Sequence, residues 1–315
     1  LMSGTSVETI GVTPTGSALG ADIQGIDLSG PLSDELLARL IEIWAEHLVL
    51  RFPDQSLADE KLLTLTEYFG GQQPSGARKR RQEMGLGEHS KNNPTDPRFN
   101  YVTNLDYDGN PSATPRGNGA YELRWHSDNS YVEVPPTATL LWGQKIPVDG
   151  SGQTMFCNQI LAYEELPVSL KEIIEGKHMI HDGSRNTANM VQVGGKAPKT
   201  QADIKGPVHP MVRIHPPTGK RALFLGRRWD YPSTYILEMP GDEGEELMDR
   251  LWAHATQEKY VWVQNWTPGD LIMWDNRAVM HRRTAVNPSS PRIMHRALIK
   301  GDPVVSAWDN AAAAE

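Results

Sequence analysis

Two histidines and an aspartate are the side chains of this sequence whose types and spacing best suit a metal ion. His126 and Asp128 lie two positions apart in a run with the character of extended chain, residues 124–134. Alternate residues of a strand point to one face, so this pattern predicts that the imidazole and the carboxylate lie side by side. His281, in a late β-like run, completes the set. Two histidines and one carboxylate form the facial triad of non-haem Fe(II) oxygenases, which leaves metal positions open for a cosubstrate and O₂.

Two arginines follow the second histidine, one directly before and one within a run that predicts a strand, residues 293–300. Arg292 and Arg296 are four positions apart, so a strand would place them on one face and His295 on the other. A guanidinium group suits bidentate capture of a carboxylate or sulfonate. Two such groups facing a metal pocket indicate two anionic ligands, or one anion with two charged ends.

Other functions are compatible with the same residues. A His-x-Asp pair arises easily by chance, and His126 with Asp128 alone would more often form a structural hydrogen bond. The three side chains with a metal-bound water would also suit a zinc-dependent hydrolase. A non-catalytic small-molecule-binding protein on the same β scaffold is a third alternative. The hydrolase gives no role to Arg292, so dependence on an organic cosubstrate would separate these functions.

The elements that must position these residues are mostly short strands. β-like runs separated by Pro/Gly turns dominate from Glu122 onward, which is typical of a sandwich or barrel. Ser33, followed by acidic residues and an amphipathic pattern, predicts the N-cap of a helix. We therefore predict a mainly β core with flanking helices. Strands are predicted at residues 48–52, 99–104, 131–134, 137–142, 154–158, 212–215, 222–225, 261–266, 271–274, 279–282 and 293–300, and further helices at 58–69, 167–175 and 245–255.

The domain organisation follows from length and pattern. The chain has 315 residues and no internal repeat, which predicts a single domain over residues 1–315. Two segments, 72–119 and 183–207, are long and irregular. Because such segments in a compact domain are often functional, we predict that they close over the site as lids.

Composition argues against several classes of partner. The formal net charge of −8 argues against a nucleic-acid binder. No apolar run approaches the roughly 18–20 residues of a membrane span, so no membrane partner is predicted. No signal peptide is evident. Cys157 is the single cysteine, so no internal disulfide can form, which fits a cytoplasmic protein.

The order of several motifs resembles that of one enzyme family. The motifs are WHSDNSY at 125–131, GQT at 152–154, WDNR at 274–277, His281 and RIMHR at 292–296. Together they resemble the taurine/2,4-dichlorophenoxyacetate dioxygenase family over nearly the whole chain. The resemblance implies a double-stranded β-helix (jelly-roll, cupin-like) core, an Fe(II) cofactor, and 2-oxoglutarate and O₂ as cosubstrates. It also implies a homodimer or homotetramer, and oxidation of a small substrate while 2-oxoglutarate is decarboxylated to succinate and CO₂.

The resemblance assigns roles to individual residues by their place in these motifs. The implied iron ligands are His126, Asp128 and His281. The implied contacts to the distal carboxylate of 2-oxoglutarate are Arg292 and Thr154. The implied substrate contacts are Arg296, Asn129 and Trp274.

Two further features bear on the reaction. Position 122 is Glu where the taurine enzyme has Asn, and segment 72–119 does not align cleanly, so a carboxylate or sulfonate other than taurine is expected. Iron halogenases lack the carboxylate ligand that Asp128 supplies. The expected reaction is therefore hydroxylation, with desaturation or ring closure as alternatives, and not halogenation.

Overall fold

A computed structural model describes residues 10–74, 83, 85, 100–106, 108–112, 119–192 and 194–308 of the chain. Short strands dominate these residues, as predicted. The strands are β1 (Gly11–Pro14), β2 (Ala21–Gln24), β3 (Val49–Phe52), β4 (Gln72–Gln73), β5 (Asn100–Thr103), β6 (Leu123–His126), β7 (Ala138–Lys145), β8 (Thr154–Asn158), β9 (His178–Ile180), β10 (Val208–Pro210), β11 (Val212–His215), β12 (Lys220–Leu223), β13 (Tyr235–Ile236), β14 (Val261–Gln264), β15 (Leu271–Asp275), β16 (Val279–Arg283) and β17 (Ile293–Ile299). The α-helices are α1 (Asp34–His47), α2 (Asp59–Tyr68), α3 (Gln159–Glu164), α4 (Val168–Ile174) and α5 (Asp242–Ala255).

Helix α1 forms for the reasons that the sequence indicates. The Ser33 side chain accepts a hydrogen bond from the backbone N–H of Leu36 at 3.2 Å, and acidic residues occupy the first turn. The apolar face, which includes Leu36 and Leu40, is buried. The helix ends at Leu48, whose φ of 65° is left-handed and turns the chain into strand β3. The sequence did not predict helix α3 or the short strands β1, β2, β4, β9, β10 and β13.

Two sheets form the core of the fold. The major sheet has eight strands in the order β1-β2-β3-β15-β7-β17-β4, with β5 also paired to β17. The minor sheet has four strands in the order β14-β8-β16-β6. Neighbours in both sheets are antiparallel except β2 and β3. Strands that are adjacent in a sheet are mostly distant in the chain, as in a jelly roll, and the prediction of a mainly β jelly-roll core with flanking helices is confirmed.

Apolar side chains hold these layers together. Phe156, Trp274 and Met294 belong to the cluster between the two sheets. Helices α1 and α2 pack on the outer face of the major sheet. Helices α3 to α5 cover the outer face of the minor sheet around Cys157 and Met280. Each sheet is therefore fixed from both sides, which makes the strands rigid supports for a site.

One strand prediction was wrong at a functionally important point. Strand β6 ends at His126, and residues 127–134 form turns instead of continuing the strand or forming a new one. Asn129 has a left-handed φ of 47°, and Val132 N–H donates to the Asn129 carbonyl at 3.1 Å to close a turn. Asn and Asp favour such turns through their short polar side chains. His126 and Asp128 therefore do not share a strand face, and the turn brings the carboxylate to the site.

The two predicted lids are described to different extents. Most of segment 72–119 lies outside the described residues, apart from the parts that form β4, β5 and a bridge between Leu105 and Pro111. Segment 183–207 is described except at residue 193. It packs closely against the turn after β6. A Cβ at Gly183 would lie only 2.9 Å from the Tyr131 ring. Movement of either segment, and the single-domain organisation, stay predictions.

Across the described part of the chain, no helix is both long enough and apolar enough to cross a membrane.

Candidate metal centre

The candidate metal ligands come from the minor sheet and the turn beside it. His281 on β16 lies directly opposite His126 on β6, and their ring centroids are 4.1 Å apart. Asp128 approaches from the turn, with its Oδ1 3.7 Å from His126 Nε2 and 3.9 Å from His281 Nε2. One ligand atom from each residue lies within 4.8 Å of the other two, and all three residues are buried. Atoms that each bind one ion at about 2 Å have this mutual spacing.

Hydrogen bonding orients the first histidine for this role. His126 Nδ1 is 2.7 Å from the carbonyl oxygen of Arg124, so the ring N–H donates there and the lone pair of Nε2 faces Asp128. Metal-binding histidines commonly have their other nitrogen fixed in this way. The His281 ring is held by packing, with the Trp274 ring centroid 4.6 Å away and Phe156 beyond it.

Asn276 and Thr139 hold Asp128 in place. The Asn276 Oδ1 accepts from the backbone N–H of Asp128 at 2.7 Å, while its Nδ2 donates to the carbonyls of Asp128 and Pro136, both at 2.9 Å. The Thr139 hydroxyl donates to Asp128 Oδ2 at 2.6 Å. Asn276 therefore satisfies backbone groups that a strand would have paired. Sequence reasoning assigned no role to either residue. Asn276 stands in the WDNR motif, whereas nothing in the sequence distinguishes Thr139.

The electrostatics of the triad favour the protonation states that metal binding requires. Burial lowers the pKa of His281 to about 4, although Asp128 opposes the shift. Burial also holds the pKa of His126 well below its usual value. Burial alone would raise the pKa of Asp128, but nearby His281, Arg296 and His126 hold it well below its ordinary value. At neutral pH the imidazoles are neutral and the carboxylate is ionised, as metal coordination demands.

Arg292 is a buried arginine that forms no ion pair with any residue in the described part of the chain. It immediately precedes β17 and is 1% exposed, and its one side-chain hydrogen bond goes from Nη2 to the Gly152 carbonyl at 3.4 Å. Its Nε and Nη1 have no hydrogen-bond partner within the described ranges. Burial, followed by repulsion from Arg283, lowers the pKa of Arg292. Because an unpaired charge is costly inside a protein, this geometry suits an anionic ligand.

Thr154 begins β8, two residues after Gly152, and is buried. Its Oγ1 accepts from Trp266 Nε1 at 2.9 Å, so its own hydrogen is available to a ligand. Gly152 has a φ of 78°, and a Cβ there would lie 3.0 Å from Arg292 Nε. Glycine therefore leaves the space that the guanidinium occupies.

The three predicted substrate contacts lie around the triad. Arg296 Nη1 is 3.5 Å from Asp128 Oδ1. Trp274 packs on His281 and is 1% exposed. Asn129 follows Asp128, and its buried Nδ2 has no hydrogen-bond partner in the part of the chain that the structure describes. The structure thus brings together the residues that sequence reasoning selected at the metal centre.

One charged residue near the triad was missed. The Arg227 guanidinium lies 4.5 Å from the centroid of the Tyr131 ring, and its charge is among the causes that lower the pKa of His126 and of His281. In the sequence it is the first of two adjacent arginines. Nothing in the sequence of this pair indicates that Arg227 is buried whereas Arg228 forms ion pairs at the surface.

Comparison with known proteins identifies the class. A family model described as "Taurine catabolism dioxygenase TauD, TfdA family" matches residues 11–298. An (S)-phenoxypropionate/alpha-ketoglutarate-dioxygenase of Delftia acidovorans is 28% identical, covering 94% of this chain and 96% of its own. Pentalenolactone F synthase of Streptomyces arenae is 27% identical, covering 96% and 99%. The solved structure of AAD-2 in complex with Mn(II) and N-oxalylglycine superposes with a TM-score of 0.75 at 27% identity, covering 95% of this chain and 99% of that one.

Fold, site and comparisons together define a 2-oxoglutarate-dependent dioxygenase, an oxidoreductase that uses Fe(II) and O₂ to oxidise a small organic substrate. The chain belongs to the TauD/TfdA family. This class decides against the zinc hydrolase and the non-catalytic binding protein. The residues fit the cofactors, because two neutral imidazoles and a carboxylate suit Fe(II) and the unpaired Arg292 suits a dicarboxylate.

Thr139→Val is expected to weaken Fe(II) binding by about 10- to 100-fold, the usual cost of removing a group that hydrogen-bonds to a metal ligand. Valine keeps the shape of threonine but leaves Asp128 Oδ2 without its donor. Anaerobic calorimetric titration with Fe(II) measures the effect. Thr137→Val is the matched control, since the Thr137 hydroxyl makes no hydrogen bond to any described residue. Equal Fe(II) affinity in the two variants would contradict a role for Thr139 in holding the carboxylate.

Proposed function

We propose that His126, Asp128 and His281 bind the Fe(II) of this dioxygenase. The observation that carries the proposal is the convergence of their ligand atoms within 4.8 Å. The hydrogen bonds from His126 to Arg124 and from Thr139 to Asp128 support it, because they fix the lone pairs that would face the ion. Three protein ligands on one side leave positions for 2-oxoglutarate and O₂.

Arg292 and Thr154 bind the distal carboxylate of 2-oxoglutarate in this proposal. The buried guanidinium supplies the charge and two unpartnered donor atoms, and the threonine hydroxyl supplies a further donor. A charge-assisted hydrogen bond in a dry pocket is roughly twice as strong as a neutral one. The pair therefore orients the dicarboxylate with its other end toward the metal ligands.

The proposed substrate is a small organic anion with a carboxylate or sulfonate group. Arg296, Asn129 and Trp274 are its proposed contacts, as the sequence predicts. The Delftia relative is named for phenoxypropionate, a carboxylate. Trp274 supplies an apolar wall next to His281, which suits the carbon skeleton of such a molecule.

Fe(II), 2-oxoglutarate and O₂ supply the oxidising chemistry when bound, and the protein residues bind, orient and exclude water. Asp128 keeps the carboxylate position filled, which argues for hydroxylation rather than halogenation. Desaturation and ring closure remain alternatives, and the similarity to a pentalenolactone F synthase supports keeping them.

Three further predictions, on a lid, the oligomeric state and the location, accompany this proposal. Segment 183–207 is a proposed lid, supported by the hydrogen bond from Arg124 N–H to the Thr187 carbonyl at 2.9 Å, which places it against β6. A homodimer or homotetramer is proposed from the family resemblance. A cytoplasmic location is proposed from the cysteine usage of the sequence.

The test is anaerobic addition of 2-oxoglutarate to the Fe(II)-loaded protein. We expect a weak visible charge-transfer band, followed by succinate formation when O₂ is admitted. Zn(II) in place of Fe(II) is the control and should give neither signal. Absence of both the band and O₂-dependent succinate from the Fe(II)-loaded protein would refute the proposed function.

A further inference from the structure

Arg227 is a further buried arginine near the candidate metal ligands. It follows strand β12 and is 4% exposed. To residues that the structure describes, its side chain makes one hydrogen bond, from Nη1 to the Arg185 carbonyl at 3.4 Å, and its buried Nε has no partner among them. Among the residues described, no carboxylate forms an ion pair with it. Burying an unpaired guanidinium is unfavourable, so its presence indicates a ligand of opposite charge.

The surroundings of Arg227 direct it toward the triad. The guanidinium lies over the Tyr131 ring at 4.5 Å and near the Trp229 ring at 5.7 Å. Tyr131 belongs to the turn that carries Asp128, and its hydroxyl donates to Asn129 Oδ1 at 3.2 Å. Two buried polar atoms of this turn, Asn129 Nδ2 and Ser130 Oγ, also have no hydrogen-bond partner among the residues with described positions. These two polar atoms therefore lie on the same turn as Tyr131, the residue whose ring the Arg227 guanidinium stacks on.

Arg296 is a poorer anion-binding residue than Arg227. Its Nη1 is already 3.5 Å from the ionised Asp128, and its side chain is 23% exposed. An additional anion at Arg296 would be repelled at short range by that carboxylate. Arg227 forms no ion pair with a described residue, and Asp128 and Asp182 only oppose the lowering of its pKa that burial causes. Arg228 differs from Arg227 even more clearly, because Arg228 forms ion pairs with Glu245 and Asp249 at 2.5 and 2.6 Å.

We propose that Arg227 binds the anionic group of the substrate, a single carboxylate or sulfonate, against the turn of residues 129–131. Asn129 Nδ2 and Ser130 Oγ supply further hydrogen bonds, and Tyr131 holds the guanidinium plane. This inference rests on the proposed function, since it names the group that the substrate site recognises. Arg227 is accordingly a specificity-determining residue.

The test uses protein loaded with Mn(II) and N-oxalylglycine, an inert analogue of 2-oxoglutarate. Phenoxyacetate and hexanesulfonate are the anionic probes, and phenoxyacetamide is the neutral control; binding is followed by tryptophan fluorescence. Arg227→Met is expected to weaken both anions by at least about 30-fold and to leave phenoxyacetamide within about 3-fold. Arg227→Lys should recover part of the affinity. Arg228→Met is the matched control and should bind both anions as the unaltered protein does.

A second measurement makes the result decisive even if neither probe fits the unaltered site. Because Arg227→Met removes an uncompensated buried charge, the ligand-free variant should have a higher Tm than the unaltered protein. A lower Tm in a protein that binds neither probe, or anion affinities unchanged by Arg227→Met, would overturn the inference. If the proposed function were wrong, the unaltered protein would also fail to bind Mn(II) and N-oxalylglycine. Measuring this binding in each variant therefore distinguishes failure of the inference from failure of the proposed function.

Discussion

Asp128→Ala is expected to abolish O₂-dependent succinate formation and to weaken Fe(II) binding by more than about 100-fold, since removing groups that only support a ligand already costs up to that factor. The variant should fold, because the hydrogen bonds that fix this turn join Asn276 to the backbone of Asp128 and not to its carboxylate. The loss would therefore report on the carboxylate itself. Anaerobic Fe(II) titration and a succinate assay measure the two effects.

Asp249→Ala is the control for this variant. Asp249 is an exposed carboxylate on helix α5 that pairs with Arg228, and its removal should leave Fe(II) binding unchanged. Far-ultraviolet circular dichroism should show both variants folded. Iron-dependent succinate formation by the Asp128→Ala protein at a rate near that of the unaltered enzyme would rule out the proposed triad.

Arg292→Met is expected to raise the Kd for 2-oxoglutarate by about 30-fold to several thousand-fold, because loss of one partner from a buried charge pair costs about 2–5 kcal/mol. Fe(II) binding should stay within a few-fold, since Arg292 contacts no candidate metal ligand. Titration of the charge-transfer band with 2-oxoglutarate measures the Kd. The ligand-free variant should be no less stable than the unaltered protein, because an unpaired buried charge has been removed.

Arg282→Met is the matched control for Arg292→Met. Arg282 lies on strand β16 next to His281, but its side chain is 31% exposed and pairs with Glu122 at 3.4 Å. Its replacement should leave the Kd for 2-oxoglutarate within about 2-fold. If the two variants gave the same Kd, the anion would have to be bound by other residues.

The sequence predicted those parts of the site that depend on residue type and strand period. The alternation along β17 correctly places His295 against Asp59 and Gln144, away from the side on which Arg296 meets Asp128. His281 was selected as the partner of His126, and the two strands pair with these residues opposite each other. Short-range pattern suffices here because the alternation along a strand alone determines which residues share a face.

The parts that the sequence could not supply depend on contacts between distant segments. Whether β6 continues past His126 is decided by Asn276, far along the chain, which satisfies the backbone of Asp128. Local pattern favoured a strand because Tyr131 and Val132 are good strand residues. A role for Arg227 could not be predicted for a related reason. Only the structure shows that its guanidinium is buried and forms no ion pair with a described residue.

The division of the site between two sheets has a consequence for ligand binding. The histidines of the triad and Thr154 belong to the minor sheet, whereas Arg292 stands at the start of β17 in the major sheet. Facing sheets lie about 10 Å apart, and Phe156, Trp274 and Met294 occupy that gap. The distance between the candidate metal ligands and the Arg292 guanidinium therefore depends on how these side chains pack between the sheets. Because Thr154 and Arg292 are the proposed partners of one carboxylate, that ligand would join the two sheets, and its binding is expected to stabilise their packing.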